Sequence, residues 1–201
     1  MAYKVLYPNH FHMTRGNHET INMNELYGFQ GEVEAKYDKP TFKFFTQIFN
    51  WLPLSYCIHS HTNKKILIMH GGLFNEQNVT LDQIREVKRD GQPNAEGIMT
   101  DILWADPCVM NGRQPSKRGT SIQFGPDITR DFCDKNGLEY IIRSHEVKDE
   151  GYEEAHAGKC YTIFSAPNYC DQMGNEGAYM HIAPGDLKPT FHRFKAVVSK
   201  L

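Results

Sequence analysis

An α/β fold is the class that this sequence predicts, on three observations. Residues 65–69, 139–144 and 159–165 form short, nearly continuous apolar runs, which are typical of strands buried on both faces of a sheet. Other segments of the chain have apolar residues at helical spacing, which predicts helices among these strands. Residues 91–97 and 107–119 carry the glycine, proline and polar residues of loops. Strands mixed with helices in one chain indicate the α/β class.

Three helices are predicted from their apolar spacing or from their start and stop signals. Five apolar side chains recur at helical spacing in one segment: Phe42, Phe45, Ile48, Phe49 and Leu52. Thr80 and Gln83 have the spacing of a capping box, which predicts a helix that runs to about Arg89. Pro126 can begin a third helix and Gly137 can end it.

The bulk composition limits the class of protein. The chain has 201 residues, enough for one domain with a sizeable core, and 40% of them are hydrophobic and 23% charged. Its net charge of −2 gives no basic footprint for nucleic acid. No apolar run approaches the roughly 20 residues of a membrane helix, and the N-terminus has no signal-peptide core. We therefore expect neither a nucleic-acid partner nor a membrane.

The cysteines point to a reducing compartment. Five of them are scattered along the chain without a CxxC pair: Cys57, Cys108, Cys133, Cys160 and Cys170. An odd, unpatterned set predicts free thiols. A nucleophilic role for Cys170 is the alternative, but a catalytic thiol needs a nearby activating group, and the sequence identifies none.

Polar side chains follow each predicted strand at its carboxyl end. A β-like run at residues 11–14 leads to Asn17 and His18, and the strand at 65–69 leads to His70. The strand at 139–144 leads to His145, and the strand at 159–165 leads to Tyr169. Ligands collect at the carboxyl ends of strands in α/β sheets, so this arrangement predicts a site. Taken singly, each histidine is more often a structural residue than a ligand.

A last predicted strand covers residues 190–197, where aromatic and basic residues alternate. The loop at 59–64, with His59 and His61, is interpreted as surface variation, because two histidines on a flexible loop lack the preorganisation that a metal site needs.

Seven sequence blocks carry a resemblance to a known family. They are Arg-Gly-Asn-His-Glu at 15–19, Ile-Met-His-Gly-Gly-Leu at 68–73, Leu-Trp-Ala-Asp-Pro at 103–107, Arg-Gly at 118–119, Phe-Gly at 124–125, Arg-Ser-His-Glu at 143–146 and Phe-Ser-Ala-Pro-Asn-Tyr-Cys at 164–170. In this order, along essentially the whole chain, they resemble the phosphoprotein phosphatase family of serine/threonine phosphatases. Residues 27–37 and 171–175 resemble one member of that family in particular.

The resemblance implies a fold and a domain organisation. We expect a calcineurin-like metallophosphoesterase fold, a β-sandwich flanked by helices, that is N-terminally truncated. Residues 1–201 would then form a single partial catalytic domain, the C-terminal two-thirds of the family's domain. The implied activity is the metal-dependent hydrolysis of phosphoserine and phosphothreonine in proteins.

The resemblance also implies the roles of individual residues. Asn17, His70 and His145 match ligands of a dinuclear metal centre. His18 matches the general acid that protonates the leaving oxygen, which suits a group that titrates near neutral pH. Arg118 matches a guanidinium that clamps phosphate.

Two aromatic residues complete the implied site. Tyr169 matches a hydroxyl that lines the phosphate pocket, and Trp104 matches a residue at the edge of the substrate cleft. Read without the family, Arg118 is a solvated loop residue beside Lys117, and Tyr169 and Trp104 are packing residues.

Two signatures of the family, Gly-Asp-x-His-Gly and Gly-Asp-x-x-Asp-Arg-Gly, are absent from the sequence. The full family site holds two divalent ions, for which Mn, Fe or Zn suit imidazole and carboxamide ligands. The three ligands present here belong to one of these ions, so we expect this chain to supply only one metal site and to be inactive alone. Missing N-terminal strands would also leave a sheet edge and apolar helix faces uncovered.

Two hypotheses about function remain open. The first is part of an active serine/threonine phosphatase, and the second is a catalytically incomplete fragment that acts as a binding or pairing module. The resemblance implies phosphoprotein substrates and a location in the cytoplasm and nucleus. It also implies regulatory or chaperone-linked partners, through regions that this sequence does not contain.

Overall fold

The computed structural model describes residues 1–197 of the chain. The helices within this range are α1 (Ala2–Leu6), α2 (Ile21–Leu26), α3 (Phe29–Lys36), α4 (Lys39–Trp51), α5 (Leu81–Glu86), α6 (Ile98–Trp104) and α7 (Pro126–Asn136), with a 3₁₀ turn at Tyr169–Asp171. The strands are β1 (Ser55–His59), β2 (Lys65–Met69), β3 (Asp106–Pro107), β4 (Arg113–Pro115), β5 (Ile122–Phe124), β6 (Tyr140–Arg143), β7 (Tyr152–Ala155), β8 (Cys160–Ile163), β9 (Gly177–Ile182) and β10 (Pro189–Phe194).

A five-stranded sheet lies at the centre, in the order β1-β2-β6-β8-β7. Its three inner strands, β2, β6 and β8, run parallel, and the edge strands β1 and β7 run antiparallel to their neighbours. These inner strands are the three apolar runs that the sequence predicts, and their burial on both faces explains why their hydrophobicity does not alternate. Their carboxyl ends meet at one edge of the sheet.

Alternate side chains of the sheet enter two separate cores. Ile66, Tyr140 and Tyr161 pack against the antiparallel pair β9–β10, which forms the second layer of a sandwich. Leu67 and Ile141 point to the opposite face and pack with the helical layer and the small sheet β3-β5-β4. The predicted α/β class, with a β-sandwich and flanking helices, is confirmed.

The predicted helices form at the expected places. Asp38 caps α4, where its carboxylate accepts a hydrogen bond from the amide of Thr41. The capping box of Thr80 and Gln83 begins α5, and Gly137 ends α7 with a φ of 62°. Helix α5 ends at Glu86 instead of Arg89, because the backbone turns extended at Val87, with a φ of −60° and a ψ of 122°.

The prediction of a strand at residues 11–14 is wrong. This segment has no regular secondary structure in the part of the chain that the structure describes. A strand needs a hydrogen-bonded ladder, and the backbone bonds here are isolated: the amide of Phe11 donates to the carbonyl of Tyr7 over 2.9 Å, and the amide of Arg15 donates to the carbonyl of Pro53 over 2.8 Å. The loop nevertheless delivers Asn17 to the edge of the sheet.

The strand predicted at 190–197 is shorter than expected, since β10 ends at Phe194. No helix within residues 1–197 is long and apolar enough to cross a membrane. Helix α1 buries none of its side chains, and Val5, Leu6 and Trp51 are 79%, 67% and 65% exposed. The expected uncovered apolar helix faces are therefore present.

Candidate metal and phosphate site

Three predicted ligands converge at the edge of the sheet. Oδ1 of Asn17 lies 2.8 Å from Nε2 of His70, and the same nitrogen lies 3.2 Å from Nδ1 of His145. His70 follows β2, and His145 follows the neighbouring parallel strand β6. The amide of Ser144 donates to the carbonyl of His70 over 3.0 Å, which ties the two strand ends together.

Both histidines are held in the neutral form. Burial, with a smaller contribution from nearby cationic side chains, lowers the pKa of His70 to about 3 and that of His145 to about 2. Neutral imidazole is the form that binds metals, so these two rings need not lose a proton to bind an ion at neutral pH. The backbone of His145 has a φ of 71°, in the left-handed region that non-glycine residues seldom adopt.

Arg118 lies beside this cluster. Its Nε donates to Oδ2 of Asp106 over 2.6 Å, and its terminal nitrogen is 3.5 Å from the carbonyl of His145. About a third of the side chain is exposed, so the guanidinium is held on one side and open on the other. Trp104 contacts the His145 ring edge-on, with centroids 5.9 Å apart. The structure thus brings two of the three predicted substrate-binding residues, Arg118 and Trp104, to the histidine pair.

His18 lies on the exposed side of the same turn as Asn17. Its ring packs against that of Tyr27 at a centroid distance of 5.0 Å, and the side-chain amide of Asn24 donates to its carbonyl. It is close enough for its charge to lower the pKa of His70 and of His145. An imidazole in this position can reach a ligand held by the buried cluster.

Comparison with known proteins places this arrangement in a family. The model of the calcineurin-like phosphoesterase family matches residues 1–149, about three quarters of the chain. The chain belongs to the calcineurin-like phosphoesterases. A structure of a protein serine/threonine phosphatase from Saccharomyces cerevisiae, with similarity to human phosphatase PP5, superposes with a TM-score of 0.92 at 42% identity. It covers 98% of this chain, and the chain covers 64% of it.

Two curated relatives show the same similarity in sequence. Serine/threonine-protein phosphatase 5 of Homo sapiens is 60% identical over 98% of this chain, which spans 38% of that protein. Serine/threonine-protein phosphatase T of Trypanosoma brucei is 51% identical over 98% of the chain, which spans 41% of it. Phosphatase 5 is the member that residues 27–37 and 171–175 resemble. The chain therefore spans about two fifths of the length of these relatives.

The convergent atoms fit a divalent ion, which the family implies. Two cis ligands at about 2.1 Å from an octahedral ion lie about 3.0 Å apart. The separations of 2.8 Å and 3.2 Å between the donor atoms here lie on either side of that value. Asn17 Oδ1, His70 Nε2 and His145 Nδ1 each present a lone pair when the rings are suitably protonated. The third donor is the carboxamide oxygen of Asn17. Within residues 1–197 no group of three His, Cys, Asp or Glu side chains could hold a metal.

The far side of His145 supports this fit. Its Nε2 is buried without a hydrogen-bond partner and lies 4.0 Å from Oδ1 of Asp106. Metal-bound histidines of proteins usually direct their second ring nitrogen to a carboxylate or a carbonyl. A small shift of either side chain would let Asp106 accept a hydrogen bond from this nitrogen.

Two further residues belong to the site, Asp106 and Arg143, which lie in the sequence blocks at 103–107 and 143–146. Asp106 accepts from Arg118 and from Arg143, each through a different carboxylate oxygen. Arg143 is fully buried at the end of β6. A charged residue at the end of an otherwise apolar strand was the signal that could have identified Arg143.

Tyr169 is the predicted residue that the structure does not tie to the histidine pair. Its ring packs edge-on against Phe164, and its amide donates to Oδ1 of Asn175. It begins a 3₁₀ turn, and the backbone is left-handed at Asn168, just before the turn, and at Cys170, within it. Its role at the phosphate pocket stays a prediction.

A cleft of about 1310 Å³ opens next to the site. Met23, Leu26 and Tyr27 form an apolar wall, and Trp104 and Arg118 border it on the side of the histidine pair. A cleft of this size accommodates several residues of an extended peptide, beyond the 300–1,000 Å³ of an ordinary ligand pocket.

Proposed function

We propose that this chain serves in a serine/threonine protein phosphatase, which hydrolyses phosphoserine and phosphothreonine in proteins. The observation that carries the proposal is the convergence of Asn17, His70 and His145 beside Arg118. The 60% identity to human phosphatase 5 supports the same function. The adjoining cleft supports a peptide as the substrate.

Each residue of the site has a separate role in the proposed reaction. Arg118, held by Asp106, presents a planar fork to the phosphoryl oxygens. His18 donates a proton to the departing serine or threonine oxygen. Trp104 and Tyr169 are proposed to border the phosphate and the peptide. A bound divalent ion supplies charge neutralisation and an activated water at near-neutral pH.

For the metals, we propose Mn, Fe or Zn, with two ions in the full family site and one of them held by this chain. Asn17, His70 and His145 would hold that ion. All three ligands are neutral, so nothing in this set offsets the charge of the ion, and binding is expected to be weak without a carboxylate. Residues 1–201 would then act as a single partial catalytic domain.

The test is hydrolysis of a phosphoserine peptide in Mn²⁺. Two proteins are compared: this chain, and the same chain preceded by a family segment that carries Gly-Asp-x-His-Gly and Gly-Asp-x-x-Asp-Arg-Gly. We expect turnover only in the longer protein. In that protein His18→Ala should lower kcat by about 10²- to 10⁴-fold, the usual contribution of a general acid.

His10→Ala is the matched control, because His10 is exposed and lies outside the site. It should leave kcat unchanged. A longer protein that folds and binds Mn²⁺, yet hydrolyses no phosphopeptide, would overturn the proposed function. Turnover by the chain alone would show that the missing ligands are replaced, for instance by a second copy.

A second candidate is the incomplete fragment that acts as a binding or pairing module. The exposure of Val5, Leu6 and Trp51 favours it, since apolar side chains on open helix faces promote association. Analytical ultracentrifugation of the chain distinguishes the two candidates. A stable dimer without phosphatase activity in either protein would favour the pairing module.

We propose the cytoplasm and the nucleus as the location, on the basis of the five cysteines, which are all free. Phosphoproteins are the proposed partners. Regulatory or chaperone-linked partners would contact regions that the sequence does not contain.

A further inference from the structure

A fully buried arginine stands behind the site. Arg143 is the last residue of β6, and its side chain is 0% exposed. Ile141, two residues earlier on the same face of the sheet, enters the apolar core. An apolar side chain would be the ordinary occupant of such a position, because the burial of a charge is costly unless every donor has a partner.

The guanidinium of Arg143 meets acceptors from three separate segments. Its Nε donates to the carbonyl of Gly71 over 2.6 Å, and one terminal nitrogen donates to Oε2 of Glu146 over 2.6 Å. The other terminal nitrogen donates to Oδ1 of Asp106 over 2.7 Å and is 3.4 Å from the carbonyl of Ala105. One planar group therefore joins three stretches of chain that are distant in sequence.

Each of these acceptors adjoins a residue of the proposed site. Gly71 follows His70, and Glu146 follows His145. Asp106 holds Arg118 through its other carboxylate oxygen, at 2.6 Å. The guanidinium consequently bridges the two strand ends and the carboxylate that holds Arg118.

We propose that Arg143 is a positioning residue, which sets the separation of His70 and His145 and, through Asp106, the orientation of Arg118. The inference about Arg118 rests on the proposed function, whereas the separation of the histidines is a property of the fold. Lysine cannot replace Arg143, since one ammonium on a flexible stem cannot meet acceptors on three sides at the fixed angles of a guanidinium.

The first experiment measures Co²⁺ affinity and the visible absorption of the bound ion in this chain. Arg143→Lys is compared with Arg113→Lys, the matched control. Arg113 also donates to two backbone carbonyls, those of Phe74 and Glu76, but it contacts neither histidine. We expect Arg143→Lys to weaken Co²⁺ binding by about 10- to 100-fold, as loss of outer support does, and to alter the absorption spectrum. Arg113→Lys should change the affinity by less than about twofold.

The second experiment is a crystal structure of metal-free Arg143→Lys. We expect the distance between His70 Nε2 and His145 Nδ1 to change by at least about 1 Å from its present 3.2 Å. An unchanged distance together with unchanged Co²⁺ affinity would overturn the proposal. This distance tests the role of Arg143 without any measurement of phosphatase activity. A failure of the proposal about Arg143 can therefore be distinguished from a failure of the proposed function.

A third protein covers the case in which Arg143→Lys does not fold. The double variant Asp106→Asn/Arg143→Met removes both charges of the buried pair, which is tolerated better than the loss of one partner. The same distance is then measured in its metal-free crystal structure. Histidines at their present separation in this variant would contradict the proposal, and displaced histidines would support it.

Discussion

Nε2 of His70 lies 3.2 Å from Nδ1 of His145, although 75 residues separate the two in sequence. Each ring lies at the carboxyl end of an inner parallel strand, and burial keeps both neutral. Protonation of either ring is unfavourable here, because the added charge would lie in a poorly solvated place beside a second imidazole. Their environment favours either neutral rings or a bound cation shared by both.

The first prediction concerns pH and the stability of the metal-free chain. The pKa values of His70 and His145 in the folded protein, about 3 and about 2, lie below the ordinary 6.5. The unfolded chain therefore takes up more protons below pH 6.5, and the stability present above that pH is lost as the pH falls. We expect the free energy of unfolding to decrease by roughly 1–3 kcal/mol between pH 6.5 and 5.5. Urea denaturation at several pH values measures it.

His70→Gln is the control for this effect. It removes one of the two groups, so the dependence of stability on pH below 6.5 should become shallower. Equal free energies of unfolding at pH 7.5 and 5.5 in the wild-type chain would contradict the prediction.

The second prediction is stabilisation by a divalent ion. Mn²⁺ at 100 times its dissociation constant should stabilise the folded chain by about 2.7 kcal/mol and raise the melting temperature by roughly 5–10 °C. EDTA should reverse the shift, and His145→Ala should abolish it. His61→Ala serves as the control, since His61 is an exposed loop residue, and it should retain the full shift. The shift is measured by thermal denaturation; its persistence in His145→Ala would place the ion elsewhere.

The third prediction concerns the glycine beside His70. A Cβ at position 71 would lie 2.5 Å from the carbonyl carbon of Leu103 and 2.6 Å from the amide of Trp104, so Gly71→Ala forces the backbones apart. We expect a loss of about 1–3 kcal/mol of stability, as in other overpacked sites. Chemical denaturation provides the measurement.

Gly31→Ala is the matched control for this substitution. Gly31 lies inside α3, and no atom lies within 4 Å of the position that its Cβ would take. Because alanine favours the helix, this variant should be more stable by about 0.5–1 kcal/mol. A Gly71→Ala variant as stable as the wild type, or more stable, would show that the contact with Leu103 and Trp104 does not limit position 71.

The fourth prediction concerns the buried Arg15, which precedes the turn of Asn17 and His18. Its guanidinium donates to the carbonyls of Arg89 and Gly91, and burial lowers its pKa to about 10. Arg15→Met would leave these carbonyls without donors, so we expect a loss of about 3 kcal/mol in the free energy of unfolding. Urea denaturation at pH 7.5 tests this expectation.

Arg130→Met is the comparison for Arg15→Met. Arg130 pairs with Asp131 on the surface of α7, where both side chains are more than half exposed. Exposed pairs contribute little, so this variant should differ from the wild type by less than about 0.5 kcal/mol. A small effect of Arg15→Met as well would show that water replaces its hydrogen bonds.

Prediction from the sequence succeeded for elements whose signals are local. The apolar runs became β2, β6 and β8, and the capping box of Thr80 begins α5 as expected. It failed for residues 11–14, because an extended run becomes a strand only when a partner strand lies beside it. It also placed the end of α5 too late, since the backbone already becomes extended at Val87.

The sequence by itself determined which side chains reach the edge of the sheet, because the last residues of three buried runs are set by the hydrophobic pattern. Only the tertiary structure decided that Asn17, His70 and His145 aim their donor atoms at one point, and that Asp106 and Arg143 stand behind them. The order of the strands and the bonds of a buried guanidinium depend on contacts between distant parts of the chain. A local sequence pattern carries no information about those contacts.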